Sequence, residues 1–196
     1  MKIVQIGSNK GNDSVFNHLN KNFDEIEFGL FVEAFPLHIN DLRKCYSKFK
    51  NAFIENIVIK TPDYDGNTIK FYLHTNDRPF YGISSCSKEH LLQHERDIPH
   101  LKGGKILEFE LECITINDLF EKYKITNLDW LFIDTEGLDA EILLSLDWKK
   151  YSIKRVEFEY LHLKEYQNKI LDLFRFMGYK KVESIDDCKF DWAFEK

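Results

Sequence analysis

The sequence predicts an α/β fold whose doubly wound, mostly parallel sheet of seven strands ends in an antiparallel strand pair. Short apolar runs rich in Ile, Val and Phe alternate with segments whose apolar residues recur every three to four positions. Such alternation is typical of parallel strands joined by crossover helices that cover both faces of a sheet. The 196 residues suffice for one substantial core, so residues 1–196 are expected to form a single domain.

The predicted strands are short apolar runs that turn or helix signals separate. Strand one leads into a glycine-containing turn, and strand two ends at an acidic residue. The terminal pair follows the last helix and is expected to close the sheet. The predicted strands lie at residues 3–6, 28–32, 54–60, 129–133, 153–159, 181–184 and 190–194.

The predicted helices each place their apolar residues on one face. Gly178 follows the last of them, and glycine is a natural helix terminator. The helices are expected to start near residues 12–14, to cover 39–49 and 116–124, to follow Leu138, and to cover 166–177.

Three further segments are less regular. The pair Asp65-Gly66 predicts a turn, after which residues 69–74 are expected to pair back as a hairpin. Residues 107–114 are expected to be extended. Residues 76–105 are polar and contain Pro79 and Pro99, so we expect a mobile loop of the kind that covers active sites.

Composition and charge exclude several functional classes. The net charge is −6, which works against binding of nucleic acid or an anionic membrane. The four cysteines form no Cys-x-x-Cys pair, which indicates a reducing compartment and makes zinc improbable. No charged segment followed by a long apolar run is present, so neither a signal peptide nor a membrane span is expected. The sequence thus predicts a soluble cytoplasmic protein.

Two features at the ends of strands one and two indicate a nucleoside-containing ligand. Gly7 and Gly11 permit positive φ and close approach of a ligand, and the next helix could offer its free N–H groups to an anion. Glu33 stands where an acid can accept two hydrogen bonds from a ribose diol. A plain tight turn and an unremarkable surface glutamate are the alternatives. The Gly-x-x-x-Gly spacing lacks the Gly-x-Gly-x-x-Gly pattern that seats a pyrophosphate, which disfavours a nicotinamide oxidoreductase.

Carboxylates follow strands four and five as well. Asp134 and Glu136 end an apolar strand, where desolvation is costly unless a positive or hydrogen-bonding group meets them. Glu157 and Glu159 lie in strand five, and His162 follows and could titrate near neutrality. The structural alternatives are a favourable helix dipole for the first pair and salt bridges for the second.

Four motifs resemble the FkbM-type methyltransferases, a branch of the Rossmann-like S-adenosylmethionine-dependent enzymes. The family's D-x-G-A-N-x-G, V-E-P-x-P, T-L-D-D-L and K-I-D-V-E-G-x-E patterns occur in the same order as here. A family glutamate at the end of strand five corresponds to Glu159. The matching segments are 5–11 (QIGSNKG), 32–36 (VEAFP), 115–119 (TINDL) and 132–139 (FIDTEGLD).

The resemblance implies a class I methyltransferase-like fold and transfer of the methyl group of S-adenosyl-L-methionine to a hydroxyl oxygen on a sugar, a glycan or a small natural product. The methionine part is expected at Gly7, Asn9 and Gly11, the ribose at Glu33, and the adenine near Thr61 and Asp63. The implied cofactor-binding residues are Gln5, Gly7, Ser8, Asn9, Gly11, Glu33, Ala34, Thr61, Asp63 and Asp134, and the implied catalytic residues are Asp134, Glu136, Glu159 and His162.

Several positions depart from the family patterns, and one of these departures matters. Gln5 replaces the acid that opens the first motif, and an amide offers no negative charge to the methionine ammonium group. Ala34 replaces a proline. No acceptor-binding segment is expected before strand one.

Two alternatives to this function stay open. One is a non-catalytic binding protein whose methyltransferase fold has a degenerate site, as Gln5 suggests. The other concerns metals: the sequence predicts no metal site, although the acid cluster could hold a divalent ion.

Overall fold

The computed structural model describes residues 1–77, 82–185 and 190–196. Its main feature is a seven-stranded sheet in the order β3-β2-β1-β7-β8-β10-β9. These strands match the predicted ones closely, except at strand three. They are β1 (Lys2–Ile6), β2 (Phe28–Val32), β3 (Ala52–Glu55), β7 (Asn127–Ile133), β8 (Ser152–Glu159), β9 (Lys180–Val182) and β10 (Asp191–Glu195).

The predicted α/β architecture is confirmed. Within the described part of this sheet, strands β3, β2, β1, β7 and β8 pair in parallel, and β10 runs antiparallel to its neighbours β8 and β9. The register pairs Ile6 with Val32 on one side and with Ile133 on the other. The carboxyl ends of β1, β2 and β7 therefore meet at one edge, where doubly wound sheets bind ligands.

Helices cover both faces of the sheet. On one face Ile3 packs with Val15 and Leu42, and on the other Val4 packs with Leu119. This alternation follows from the two-residue period of a strand. The helices are α1 (Ser14–Leu19), α2 (Ile39–Cys45), α3 (Lys88–Asp97), α4 (Ile116–Lys122), α5 (Asp139–Ser145) and α6 (Gln167–Phe176).

Short 3₁₀ helices supplement the α-helices, and none of the helices in the described residues is long and apolar enough to cross a membrane. Helix α2 was predicted to reach residue 49, but its last turn is a 3₁₀ helix. The 3₁₀ helices are Phe23–Glu25, Pro36–His38, Tyr46–Lys48, Thr75–Asp77, Pro99–Leu101 and Lys164–Tyr166.

The prediction of one strand over residues 54–60 was wrong. This segment divides into the end of β3 in the main sheet and β4 (Val58–Lys60) in a second sheet. Asn56 lies at the break, where its side-chain amide donates to the carbonyl oxygens of Glu33 at 2.8 Å and Ala34 at 2.9 Å. A side chain that takes over the backbone partners in this way ends the regular pairing of β2 with β3.

Residues 69–74 form a strand, but the prediction that they pair back as a hairpin across the Asp65-Gly66 turn was wrong. Strand β5 (Thr68–His74) pairs antiparallel with β6 (Ile106–Thr115), which lies between β5 and β4. The ten-residue β6 has partners on both sides, so it separates the two strands that the Asp65-Gly66 turn was expected to join.

The predicted loop over residues 76–105 is largely structured. It contains α3, which Ser87 caps by accepting a hydrogen bond from the backbone N–H of His90 at 3.2 Å. The mean hydropathy of this segment is low because half of the helix faces solvent, and this polarity obscured the helical pattern. Pro79 lies outside the described residues.

Candidate functional site

An open cleft with about 610 Å³ of empty space lies at the carboxyl ends of β1, β2 and β7. Apolar side chains of the second sheet, such as Val58 and Phe71, form its far wall. Gly7, Glu33 and Asp134, which the sequence placed at one ligand, all line this cleft. The other predicted site residues that line it are Asn9, Ala34 and Glu136.

Gly7 allows β1 and β7 to approach closely at the floor of the cleft. Its φ is +83°, and a Cβ atom added there would lie 1.6 Å from the carbonyl oxygen of Asp134. The Gly7 and Ser8 N–H groups both donate to the carbonyl oxygen of Val32 at 2.9 Å. Neighbouring backbone therefore requires glycine at position 7, whatever ligand the cleft takes.

Glu33 is held in one orientation beside the turn. Its side chain accepts hydrogen bonds from the backbone N–H groups of Asn9 and Phe35, each at 2.7 Å, and the residue is only 6% exposed. An ionised carboxylate has about four acceptor sites. Two bonds to the backbone thus leave lone pairs for a ligand with two hydroxyl groups.

Gln5, Ser8 and Gly11 lie outside the residues that line the cleft. Gln5 is buried and donates its amide to the Asp13 carboxylate at 2.7 Å. Ser8 donates its hydroxyl to the carbonyl oxygen of Gln5 at 3.2 Å. Gly11, at φ +74°, packs against the side chain of Leu42. In this structure these three residues support the turn.

The expectation of an open helix N-terminus after this turn was wrong. The Asp13 side chain caps α1 by accepting from the backbone N–H of Phe16 at 2.8 Å. A six-residue helix that is capped by its own carboxylate has little to offer an anion.

Thr61 and Asp63 follow β4 at the edge of the second sheet. Neither is among the residues that line the cleft, and Asp63 is exposed. The carbonyl oxygen of Thr61 accepts from the backbone N–H of Tyr64 at 3.3 Å, which closes the turn there. Their role toward an adenine stays a prediction.

The carboxyl groups after β7 have strongly perturbed pKa values. Solvent reaches Asp134 through the cleft, but protein surrounds the carboxyl group otherwise, and this desolvation with the nearby Glu136 raises its pKa well above the usual range. Burial likewise raises the pKa of Glu136 to about 7. Asp139 is fully enclosed, and burial raises its pKa to about 7 although Thr135 donates its hydroxyl to it at 2.9 Å.

Glu159 and His162 extend this cluster from the end of β8. The His162 Nε2 atom lies 3.4 Å from Glu159 Oε2 and 3.9 Å from Glu136 Oε2. Burial first, and then the charge of Glu136, raises the pKa of Glu159 to about 8. The structure thus brings all four candidate catalytic residues to one edge of the cleft, and the pKa values of the three carboxyl groups among them are raised in the way found at functional sites.

Glu157, the other acid of strand five, has a structural role. Its buried carboxylate accepts from Trp130 Nε1 at 3.1 Å, Arg155 Nε at 2.8 Å and Ser184 Oγ at 2.7 Å. The salt-bridge alternative is therefore confirmed for this residue. Glu157 and Glu159 are two residues apart on the same face of β8, but these donors already occupy the Glu157 carboxylate.

Sequence analysis missed His90 and His94. Both lie on α3, and the Nε2 atom of His90 is 3.1 Å from Glu136 Oε2 and 3.0 Å from His94 Nε2. Burial, and then His90, lowers the pKa of His94. The i, i+4 spacing of the two histidines after the Ser87 cap was the available signal, but the segment was interpreted as a loop.

The comparisons with known proteins identify the family. The model of the FkbM methyltransferase domain matches residues 5–181. The chain belongs to the FkbM methyltransferase family. S-adenosylmethionine is therefore its cofactor, as the resemblance predicted. A search of curated proteins gave no match.

Solved structures agree with the fold of this FkbM-family chain. The FkbM methyltransferase from Methylobacillus flagellatus KT superposes with a TM-score of 0.53 at 14% identity, over 98% of this chain and 43% of that one. The METTL16 methyltransferase domain gives 0.51 at 11% identity, over 98% of this chain and 57% of that one. The chain thus spans less than two thirds of either structure, and at these identities the likeness shows the fold.

Proposed function

We propose that this FkbM-family chain transfers the methyl group of S-adenosylmethionine to a hydroxyl oxygen on a sugar, a glycan or a small natural product. The observation that carries the proposal is the convergence of Gly7, Glu33 and Asp134 on one cleft. We further propose that residues 1–196 act as one cytoplasmic domain that binds neither nucleic acid nor membrane, in keeping with the net charge of −6.

The cleft residues fit the chemistry of the cofactor. Glu33 keeps acceptor capacity that suits a ribose diol. Among the described residues, no Lys or Arg forms an ion pair with Asp134 or Glu136. Two carboxyl groups in a low-dielectric cleft disfavour each other's ionisation, so a ligand with positive charge would stabilise them. Gln5 places the Asp13 carboxylate next to the position where the family has an acid.

When bound, S-adenosylmethionine supplies an electrophilic methyl group on a positively charged sulfur. The chain's own part is to orient the acceptor and to take its proton. Asp134, Glu136 and Glu159, assisted by His162, are the candidates for this base. Carboxyl groups with pKa values of about 7 and about 8 can gain or lose a proton near neutral pH. We assign Thr61 and Asp63 to the adenine side of the cofactor.

Calorimetric titration of the full chain with S-adenosylmethionine tests cofactor binding at this cleft. We expect Glu33→Gln to weaken the affinity by about tenfold or more, since a hydrogen bond to a charged group contributes about 1.5–3 kcal/mol. Glu112→Gln, a substitution at an exposed glutamate of β6, is the matched control. If the Glu33→Gln protein and the control bind S-adenosylmethionine with equal affinity, Glu33 does not contact the cofactor.

A non-catalytic binding protein is the second candidate, and Gln5 favours it. The same titration separates the two functions. A degenerate site gives no heat of binding, whereas a functional one gives binding and, with an acceptor sugar present, release of S-adenosylhomocysteine.

A further inference from the structure

Three imidazoles and one carboxylate from different parts of the chain converge beside the cleft. His90 and His94 come from α3, Glu136 follows β7, and His162 follows β8. One ligand atom from each residue lies within 4.8 Å of all the others. The closest separations are 3.0 Å between the Nε2 atoms of His90 and His94, and 3.1 Å between His90 Nε2 and Glu136 Oε2.

These separations are close to those of a metal centre. With metal–nitrogen and metal–oxygen bonds of about 2.0–2.2 Å, the ligand atoms of a tetrahedral site stand about 3.3 Å apart. The two shortest distances are slightly below this value, and His162 Nε2 is 3.9 Å from Glu136 Oε2. No two of the four ligand atoms are more than 4.8 Å apart, so shifts of about 1.5 Å or less along side-chain torsions would complete the geometry.

The surrounding backbone holds the cluster in place. Glu136 has φ +52°, which is rare for a residue with a side chain, and its carbonyl oxygen accepts from Ser85 Oγ at 2.7 Å. Such backbone strain concentrates at functional sites. Gly137 adjoins His90, because a Cβ atom at that glycine would lie 3.4 Å from the His90 Nδ1 atom. The i, i+4 spacing on α3 directs His90 and His94 to the same side.

We propose that His90, His94, His162 and Glu136 bind one divalent transition-metal ion at the edge of the cleft. Three imidazole nitrogens and one carboxylate suit Zn²⁺ and its first-row neighbours, whereas Mg²⁺ and Ca²⁺ prefer oxygen ligands throughout. This site differs from the oxygen-only ion considered for the acid cluster, since the histidines supply most of the ligands.

A metal ion at this site would reduce the number of candidate bases and of acceptors for methyl transfer in the cleft. With Glu136 as a metal ligand, Asp134 and Glu159 remain as the carboxylates that can take the proton of the acceptor. The acceptor itself would be a compound whose oxygen can approach the ion, such as a vicinal diol. This choice of base and acceptor rests on the proposed function, whereas the proposed metal binding does not.

Titration of the chelator-treated full chain with ZnCl₂, followed by calorimetry and elemental analysis, tests the site. We expect one equivalent of Zn²⁺ per chain and, with CoCl₂, the strong visible absorption of tetrahedral Co²⁺. His94→Gln should weaken Zn²⁺ binding by about 100-fold or more, since even indirect partners of a metal site contribute 10–100-fold. His100→Gln changes an exposed histidine outside the cluster and is the control.

His162→Gln provides a second ligand variant, and thermal unfolding of each variant verifies that it is folded. The inference is overturned if the wild-type chain binds no stoichiometric Zn²⁺, or if both ligand variants bind it as tightly as the control. Titration with S-adenosylmethionine in the metal-free state separates this result from the proposed function, because cofactor binding at Gly7 and Glu33 does not require the ion.

Discussion

Replacement of Gly7 by alanine tests whether the close approach of β1 and β7 builds the floor of the cleft. The added Cβ would stand 1.6 Å from the Asp134 carbonyl oxygen and 2.7 Å from its carbonyl carbon, although real contacts of this kind stay above 3.0 Å. The two strand ends must then separate by more than an ångström. The positive φ adds roughly 1–2 kcal/mol of its own.

Gly178→Ala is a matched control for that conformational cost. Gly178 has φ +81°, almost the value of Gly7, and no atom lies within 4 Å of its added Cβ. We expect Gly178→Ala to lower the free energy of unfolding by about 1–2 kcal/mol and Gly7→Ala by about 4 kcal/mol or more. Separation of the strand ends would also move Asp134 and weaken S-adenosylmethionine binding.

Urea and thermal unfolding of both variants, with calorimetric titration of the cofactor at a temperature where each is folded, measure these effects. In a chain of this size 1 kcal/mol corresponds to a change in Tm of about 2–4 °C, so the two variants are easily distinguished. If Gly7→Ala and Gly178→Ala lose unfolding free energy to within 1 kcal/mol of each other, the reasoning is refuted, because the positive φ alone would then explain the need for glycine at position 7.

Three further predictions concern buried polar groups. Burial raises the pKa of Asp139 to about 7, so its folded state binds the proton more tightly and stability should fall as pH rises from about 4 to 7; Asp139→Asn should flatten this slope in urea unfolding. Glu157→Gln removes the buried partner of Arg155, which keeps a longer and more exposed pair with Glu195 at 3.5 Å; it should cost about 3 kcal/mol of unfolding free energy without a change in cofactor affinity, and a tenfold loss of affinity would contradict its structural role. Gln5→Glu would set a second carboxylate 2.7 Å from Asp13, so thermal unfolding at pH 8 should show a lower Tm that recovers at pH 4, and an unchanged Tm would contradict this contact.

The main sheet could be predicted because its strands carry local signals. Buried parallel strands are continuous apolar runs, and β2 was predicted at its observed bounds, residues 28–32. The carboxyl ends of such strands share one edge, which sufficed to bring Gly7, Glu33 and Asp134 together. Residues that support the turn after β1, and do not line the cleft, were harder to assign. Gln5 contacts Asp13 and Gly11 contacts Leu42, both away from the cleft, and the motif does not encode which way each residue of the turn faces.

The second sheet and the histidine cluster depend on contacts between distant segments, which local patterns do not contain. Asn56 ends β3 by bonding to backbone that lies more than 20 residues earlier, and no local turn signal marks this break. His90 and Glu136 are 46 residues apart, and they meet only because α3 packs beside the end of β7. Titratable side chains on a polar helix look like ordinary solvated residues until the fold places a carboxylate next to them. For this reason the cleft floor could be argued from motifs, whereas the histidine cluster at its edge required the structure.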